Sequence, residues 1–293
     1  MPDTKPYHKT TQLRTYLAIF MVALAISLVL SPPTVAQRAI GANQGERRAG
    51  NPAALTIEIA SHLNQDSVIG LAAVDLDSGK RFNLGEDREF DAASTMKILF
   101  AVELYKAAAA GRIDLDSVYT IPTGSIQRYG TGSIQHEAGP YKYTWRELVK
   151  RMMQQSDNTA AYVISHEIGI PELQAVADSY GMDRTDVEKN TTTAADMGRL
   201  MEKLYRAELL DVTTTQELLI LMRNTQFEDR LPALLPGGTT VSHKTGDAFD
   251  GGQHDVGVVE GGNHRYLVAI LTSRTDVRQV AAISKALYGY YHP

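Results

Sequence analysis

The 293-residue sequence contains no cysteine, and this absence removes whole classes of chemistry. Without cysteine there are no disulfides, no cysteine-based zinc sites, no iron–sulfur clusters and no cysteine nucleophile. Bacterial lipoprotein-type lipidation, which needs a cysteine, is excluded as well. The chain also lacks an excess of positive charge, because 29 Lys and Arg stand against 34 Asp and Glu. General nucleic-acid binding is therefore not expected.

No long membrane-spanning run is present at the N-terminus either. The apolar run there, Tyr16 to Leu30, has 15 residues, whereas a helix needs roughly 20 to cross a bilayer. A basic segment precedes it, and small residues up to Ala36 follow it. This order predicts a signal peptide over residues 1–36 and an extracytoplasmic location, in the periplasm or cell wall. The alternative is an uncleaved N-terminal anchor that tethers the protein to the membrane.

Residues 37–50 are rich in Gly, Arg and Asn and are predicted to form a linker, which leaves residues 51–293 as the working part. That length is enough to bury a sizeable core. Periodicity and turn residues predict five strands: Val68–Leu76, Arg81–Leu84, Val241–Thr245, Asp255–Val259 and Tyr266–Thr272. Cap and stop signals predict a helix from Asn51, a closing helix over Gln279–Tyr290, and a run of helices between the two groups of strands.

This order predicts an α+β fold. One five-stranded antiparallel sheet is flanked by the N- and C-terminal helices, and an all-helical domain is inserted into it. The α+β part covers residues 51–93 and 231–293, and the helical part covers residues 94–230. Residues 119–143, which contain several glycines and prolines, are predicted to be a long loop.

The first motif at the predicted seam of the two parts is Ser94-Thr95-Met96-Lys97. Residues three apart share a helix face, so the two side chains are within reach of each other. A lysine in a dry site beside another cation loses its proton more readily, and it can then accept the proton of the serine. About one such motif is expected by chance in a chain of this length. Alone, the motif is therefore better explained as a capping serine followed by a solvated lysine.

Two tripeptides strengthen this interpretation: Ser156-Asp157-Asn158 between two predicted helices, and Lys244-Thr245-Gly246 on a late strand. Each is expected by chance on the order of 0.05 times in such a chain. Taken singly, the first is an ordinary helix-to-helix turn and the second a strand end with a glycine. All three motifs in this order are expected only on the order of a few times in a thousand chains.

With these motifs the sequence resembles the penicillin-recognising serine enzymes, which are the class A β-lactamases and the low-molecular-mass penicillin-binding proteins. Their signature is S-x-x-K, S-D-N and K-T-G. The resemblance covers about residues 51–293 and includes the runs that begin at Tyr143 and at Thr191. It implies the α+β fold described above and an active site between the two parts.

The resemblance also implies roles for individual residues. Ser94 is expected to be the acyl-forming nucleophile and Lys97 its activating base. Ser156 is expected to relay a proton to the leaving nitrogen, and Asn158 to hold the amide of the substrate. Lys244 and Thr245 are expected to bind the substrate carboxylate, and Gly246 to admit the substrate beside the strand. The N–H of Asp247 is expected to complete an oxyanion hole with the N–H of Ser94.

One segment departs from the class A pattern. Class A enzymes carry a glutamate on a long loop that activates the water for deacylation. Here nine residues separate Gly181 from Thr191, and within them a single residue separates Glu188 from Asn190, whereas the family pattern has three. Glu188 is a candidate for deacylation, and equally a solvated loop residue.

The short loop favours a DD-peptidase that acts on D-Ala-D-Ala peptides through an acyl-enzyme. The alternative is a class A-type β-lactamase that uses Glu188, and a non-catalytic β-lactam sensor is a weaker third. The expected partners are a peptidoglycan stem peptide or a β-lactam, and the expected state is a monomer. No cofactor or metal is expected, since serine acylation needs none. The usual class A arginine has no match, because Gln253 or His254 occupies its place, so carboxylate binding is expected to rest on Lys244 and Thr245.

Overall fold

The structure is a computed structural model that describes residues 50–223 and 225–292. The predicted signal peptide or anchor, residues 1–36, and residues 37–49 of the predicted linker lie outside the described residues. Among the helices of the described part, none is both long enough and apolar enough to cross a membrane.

The central element is the predicted five-stranded sheet. Its strands, in chain order, are β1 (Val68–Asp75), β2 (Arg81–Leu84), β7 (Thr240–Asp247), β8 (Gln253–Gly261) and β9 (His264–Ser273). Their spatial order is β2-β1-β9-β8-β7, and every neighbouring pair is antiparallel. The predicted α+β class and the antiparallel sheet are therefore confirmed. Strand β7, which carries the K-T-G motif, lies at one edge.

Two short strand pairs were not predicted. Strand β3 (Glu89–Asp91) pairs with β6 (Thr191–Thr193), and β4 (Val118–Thr120) pairs with β5 (Lys142–Thr144). Three residues are too few to show a periodicity in the sequence. The β4–β5 pair closes the segment predicted as a long loop, and the β3–β6 pair joins the short loop to the segment that leads into Ser94.

The helices surround the sheet. They are α1 (Pro52–His62), α2 (Lys97–Ala109), α3 (Trp145–Gln154), α4 (Asn158–Ile168), α5 (Ile170–Ser179), α6 (Ala194–Tyr205), α7 (Val212–Leu221) and α8 (Val277–Tyr291). The helix predicted from Ser94 differs at its start, because a 3₁₀ turn over Ala93–Met96 precedes α2. The Thr144-x-x-Glu147 pattern before α3 is typical of a capping box. Only half of that box forms, because Thr144 accepts the N–H of Glu147 while the Glu147 carboxylate pairs with Arg151.

The sheet separates two apolar cores. Along β9 the buried side chains alternate, with Val268 and Ile270 facing α1 and α8 and with Leu267 and Ala269 facing the helical part. This alternation is the two-residue period of a strand covered on both faces. The division of the chain into two domains at residues 93/94 and 230/231 stays a prediction.

Candidate active site

Ser94 lies in the 3₁₀ turn that connects β3 to α2, and the backbone of β7 passes close to it. A Cβ atom placed on Gly246 would stand 3.1 Å from the backbone nitrogen of Ser94 and 3.1 Å from the Cβ of Ala93. Only glycine fits at that separation without a shift of the neighbouring backbone. The close approach brings the N–H of Ser94 beside the end of β7, where an oxyanion hole shared with Asp247 was expected.

Lys97 is buried, with 5% of its surface exposed. Its Nζ donates to the carbonyl oxygen of Ser156 at 2.6 Å, to Ser156 Oγ at 3.1 Å and to Asn158 Oδ1 at 2.8 Å. Burial holds the pKa of Lys97 well below its usual value, the charge of Lys244 lowers it further, and Asp157 opposes both effects. The three donated bonds use all three hydrogens of the ammonium group. The lowered pKa favours loss of one of them, and the neutral amine can then accept the proton of a serine hydroxyl.

Ser156 lies between the two lysines. Its Oγ accepts from Lys97 Nζ at 3.1 Å and from Lys244 Nζ at 3.0 Å. Because the oxygen accepts both of these bonds, the Ser156 hydroxyl can still donate its own hydrogen to a further group. The backbone of Ser156 has φ +55°, and the Thr131 hydroxyl donates to its carbonyl oxygen at 2.7 Å. The unusual backbone conformation is therefore held by contacts from outside the motif.

The next two residues of this motif have different tasks. Asp157 is the N-cap of α4, since its Oδ1 accepts the N–H of Ala160 at 3.0 Å, while its Oδ2 accepts the N–H of Ile134 at 3.0 Å. Asn158 lines the cleft. Its Oδ1 accepts from Lys97, and its Nδ2 donates to the carbonyl oxygen of Tyr129 at 3.1 Å. Its amide is therefore fixed in orientation before any substrate binds.

Lys244 projects from β7 and is 1% exposed. Its Nζ donates to Ser156 Oγ and to the carbonyl oxygen of Thr245 at 2.9 Å. Burial lowers its pKa to about 7, with the charge of Asp255 opposing and that of Arg230 assisting the decrease. An anionic substrate group would therefore stabilise the charged form of this lysine.

Arg230 is a site residue that the sequence did not indicate. Its guanidinium, 3% exposed, donates to the carbonyl oxygen of Gly246 at 3.3 Å and to Gln253 Oε1 at 2.6 Å, and it forms an ion pair with Asp247. It lies in the segment before β7, outside any motif, and no spacing connects it to K-T-G. The expectation that carboxylate binding rests mainly on Lys244 and Thr245 stays a prediction, and Arg230 adds a buried guanidinium beside the end of β7.

Glu188 does not line the Ser94 cleft. It is exposed and borders a separate hollow with Ile170, Pro171 and Gln174. The cleft, of about 280 Å³, is lined by Ser94, Lys97, Asn158 and Asp247 together with Asp91 and Asn190. The structure thus brings the residues of all three motifs together and leaves Glu188 out. The short loop reaches the cleft through Asn190.

Two histidines near the motifs, His243 and His254, make structural contacts. His243 is buried and bonds Asp255 at 2.9 Å. His254 donates from Nε2 to the carbonyl oxygen of Asp91 at 2.7 Å, while its Nδ1 accepts the N–H of Thr272 at 3.0 Å. In residues 50–223 and 225–292, no group of three or more His, Asp or Glu side chains is arranged to hold a metal ion.

Ser94 and Lys97 share one cleft, the pKa of this buried lysine is lowered, and a second hydroxyl bonds both lysines. This arrangement is that of a serine hydrolase. The chain belongs to the β-lactamase enzyme family, whose family model matches residues 54–291.

The similar proteins fall into two groups by name. The chain is 28% identical to a β-lactamase of Amycolatopsis lactamdurans over 73% of this chain and 75% of that protein. It is 27% identical to β-lactamase L2 of Stenotrophomonas maltophilia over 94% and 99%. Among solved structures, PBP-A is 31% identical with a TM-score of 0.74 over 81% of this chain and 94% of PBP-A. A PBP-A variant, at 31% identity and a TM-score of 0.75 over 83% and 97%, is described as an acyl-enzyme complex with penicillin G.

Proposed function

We propose that the protein is a penicillin-binding DD-peptidase that cleaves D-Ala-D-Ala termini of peptidoglycan stem peptides through an ester on Ser94. One observation carries the choice of peptidase. The two carboxylates that line the cleft, Asp91 and Asp247, are already engaged, with Asn190 and Arg230 respectively, and Glu188 borders another hollow. A water molecule at the ester would therefore lack the carboxylate base that class A β-lactamases use.

Acylation follows from the positions of the motif residues. In the free enzyme Lys97 bonds Ser156 and Asn158, so it first exchanges one of these partners for the hydroxyl of Ser94. Lys97 accepts the proton while Oγ of Ser94 bonds to the carbonyl carbon of the penultimate D-Ala. The carbonyl oxygen becomes an oxyanion facing the N–H groups of Ser94 and Asp247.

Collapse of this intermediate breaks the C–N bond. The departing amine of the terminal D-Ala receives a proton from Ser156, and Ser156 regains a proton from Lys97, which holds the proton of Ser94 and bonds Ser156 Oγ at 3.1 Å. Water, or an amine from a second stem peptide, then attacks the ester carbon and gives its proton to the neutral Lys97, and the bond from the acyl carbon to Ser94 Oγ breaks as Lys97 returns that proton to Ser94. The reaction requires no reactant other than the stem peptide and the water or amine that accepts the acyl group.

The cationic end of the cleft matches the terminal carboxylate of the substrate. Lys244 supplies a buried amino group there, Thr245 supplies a hydroxyl, and Arg230, which is paired with Asp247, lies beside the end of β7. β7 is an edge strand, so a peptide can add to it as a further strand in the direction set by that carboxylate. A penicillin carries the same acyl, amide and carboxylate groups.

β-Lactam hydrolysis is the second candidate, because relatives at 27% and 28% identity bear the name β-lactamase. The two functions differ in the lifetime of the acyl-enzyme. With no placed carboxylate base, a penicilloyl ester on Ser94 should persist. A penicillin G acyl-enzyme is described for a substituted variant of PBP-A, so an ester of this kind can be trapped in a related protein.

One assay separates the candidates. The purified protein is mixed with nitrocefin, and release of product is followed per mole of enzyme. A peptidase of this kind gives one stoichiometric burst and releases D-Ala from a diacetyl-Lys-D-Ala-D-Ala peptide, whereas sustained nitrocefin turnover would favour the lactamase. Ser94→Ala should abolish covalent labelling by a fluorescent penicillin while leaving the fold intact, and undiminished labelling would exclude Ser94 as the nucleophile.

We further propose that residues 1–36 export the protein and that it works outside the cytoplasm, where peptidoglycan lies. The mass of the protein recovered from cells distinguishes the two N-terminal alternatives. Removal of residues 1–36 supports a cleaved signal peptide, and their retention in a membrane fraction supports an anchor. Gel filtration of the mature protein tests the expected monomer.

A further inference from the structure

The residue before Ser94 holds a backbone conformation that side-chain-bearing residues rarely adopt. Ala93 has φ +47°, in the left-handed region, which is strained for an L-residue other than glycine. This turn sets the direction of the Ser94 N–H and the start of the 3₁₀ turn that carries the nucleophile. The surrounding contacts must therefore hold Ala93 in this state.

Asn190 makes those contacts with both its backbone and its side chain. Its carbonyl oxygen accepts the N–H of Ala92 at 2.7 Å. Its Nδ2 donates to Asp91 Oδ1 at 3.1 Å and to the carbonyl oxygen of Ala93 at 3.4 Å. The same Asp91 oxygen accepts the N–H of Ala93 at 2.9 Å. The three residues that precede Ser94 are thus all bonded to Asn190.

Asn190 is itself held firmly. It has φ +55°, and asparagine is one of the few side-chain-bearing residues that adopt this region readily. The next residue, Thr191, pairs with Asp91 in the β3–β6 ladder and with Asp186 in the short loop. Backbone pairing on its C-terminal side therefore holds Asn190 in place beside the segment that carries Ser94.

We propose that Asn190 is a positioning residue for acylation, acting through Asp91 and Ala93 to hold the N–H and hydroxyl of Ser94 in the reactive geometry. This inference rests on the proposed acylation at Ser94. In class A enzymes this loop carries the glutamate that activates water for deacylation. In this protein the last residue of the short loop, Asn190, would instead position the nucleophile for acylation. A misplacement of about 1 Å at a reacting group can cost about a hundredfold in rate.

Asn190→Gly tests the side chain alone, because glycine keeps the backbone carbonyl and favours the same φ. We expect the acylation rate constant at saturating fluorescent penicillin to fall about tenfold to a hundredfold. The dissociation constant of the non-covalent complex should change less than about twofold, since the carboxylate end of the site is untouched. Ala207→Gly is the matched control, because Ala207 also has φ +55° but does not line the cleft.

Asp91 provides the second arm. Asp91→Asn keeps an oxygen acceptor and should acylate within about threefold of the wild-type rate, whereas Asp91→Ala should show the loss seen for Asn190→Gly. The double variant should be no slower than the slower single variant, because both belong to one contact. If Asn190→Gly does not fold, the Asp91 pair decides the question.

Three results would overturn the inference: Asn190→Gly acylating at the wild-type rate, a loss confined to the dissociation constant, or fully additive losses in the double variant. Failure of the proposed function is a separate outcome, since the wild-type protein itself would then not be labelled by penicillin.

Discussion

The two backbone segments that border the Ser94 cleft differ in how tightly they are bound to it. One is the amide wall, formed by residues 129–132 packed on residues 156–158. The other is the short loop, residues 181–190. In the amide wall a Cβ on Gly130 would stand 2.5 Å from Asn158 Nδ2, and one on Gly132 would stand 2.2 Å from Asp157 Oδ2. A side chain therefore does not fit at either glycine without a shift of residues 156–158.

The short loop is bonded mainly to structure outside the cleft. The N–H of Val187 donates to Gln174 at 2.9 Å, and the N–H of Arg184 donates to Asp196 at 2.9 Å. Its cleft contact is Asn190. The amide wall is thus closely packed around the motif residues that are proposed to form the acyl-enzyme. The short loop, which carries the deacylating base in class A enzymes, contacts this cleft only through Asn190, the proposed positioning residue.

The largest effect is expected where the amide wall is tightest. Gly132→Ala places a methyl group against the backbone of Asp157 at a φ of +109°, so the Ser156–Asn158 turn must move. We expect a loss of about 3 kcal/mol in the free energy of unfolding and an acylation rate lower by more than about a hundredfold. Denaturant titration and penicillin labelling measure the two effects.

Gly124→Ala is the control for this prediction, because a Cβ there meets nothing within 4 Å. It should acylate as the wild type does. Equal behaviour of the two variants would show that the amide wall has more freedom than its contacts indicate.

An intermediate effect is expected from the lysine that joins β7 to the amide wall. Burial places the pKa of Lys244 at about 7, so the free enzyme loses this charge as the pH rises through that value. The second-order rate constant for acylation should therefore fall by up to about tenfold per pH unit on the alkaline side. Neutral Lys97 is needed as well, so the same rate should fall at acid pH, through the lowered pKa of that lysine.

Lys244→Arg separates the two limbs, because arginine stays charged across this range. The alkaline fall should disappear while the acid fall stays, whatever the absolute rate of the variant. An unchanged alkaline limb in Lys244→Arg would assign it to another group.

The smallest effect is expected in the short loop. Glu188→Gln should leave the acylation rate, the lifetime of the acyl-enzyme and the nitrocefin burst within about twofold of the wild type, because Glu188 borders another hollow. Stopped-flow measurement of the burst and mass spectrometry of the ester test this. A longer-lived ester in Glu188→Gln would contradict the proposed peptidase and favour the lactamase.

Much of the fold follows from local pattern. β2 begins and ends at its predicted residues, Arg81 and Leu84, and α4 covers Asn158–Ile168 as its cap and Gly169 stop indicate. The pairing of Asp91 with Thr191 was not predictable in this way, because the two residues are a hundred positions apart and each belongs to a strand of only three residues.

The candidate site divides in the same manner. The three motifs were found by residue type and spacing, and the structure brings them to one cleft. Arg230 was missed because its contacts with Gly246 and Gln253 depend on the path of the chain before β7. Asn190 was noted only for its distance from Glu188, and its bonds to Asp91 and Ala93 appear only in three dimensions.

By itself the sequence excluded a cysteine nucleophile, and its three motifs indicated a serine served by two lysines. Tertiary structure alone decided which loop groups reach that serine. A side chain's direction depends on backbone torsions and on distant partners, and a short loop contains too little pattern to encode either. Glu188 and Asn190 are two residues apart, yet only Asn190 meets the nucleophile's segment.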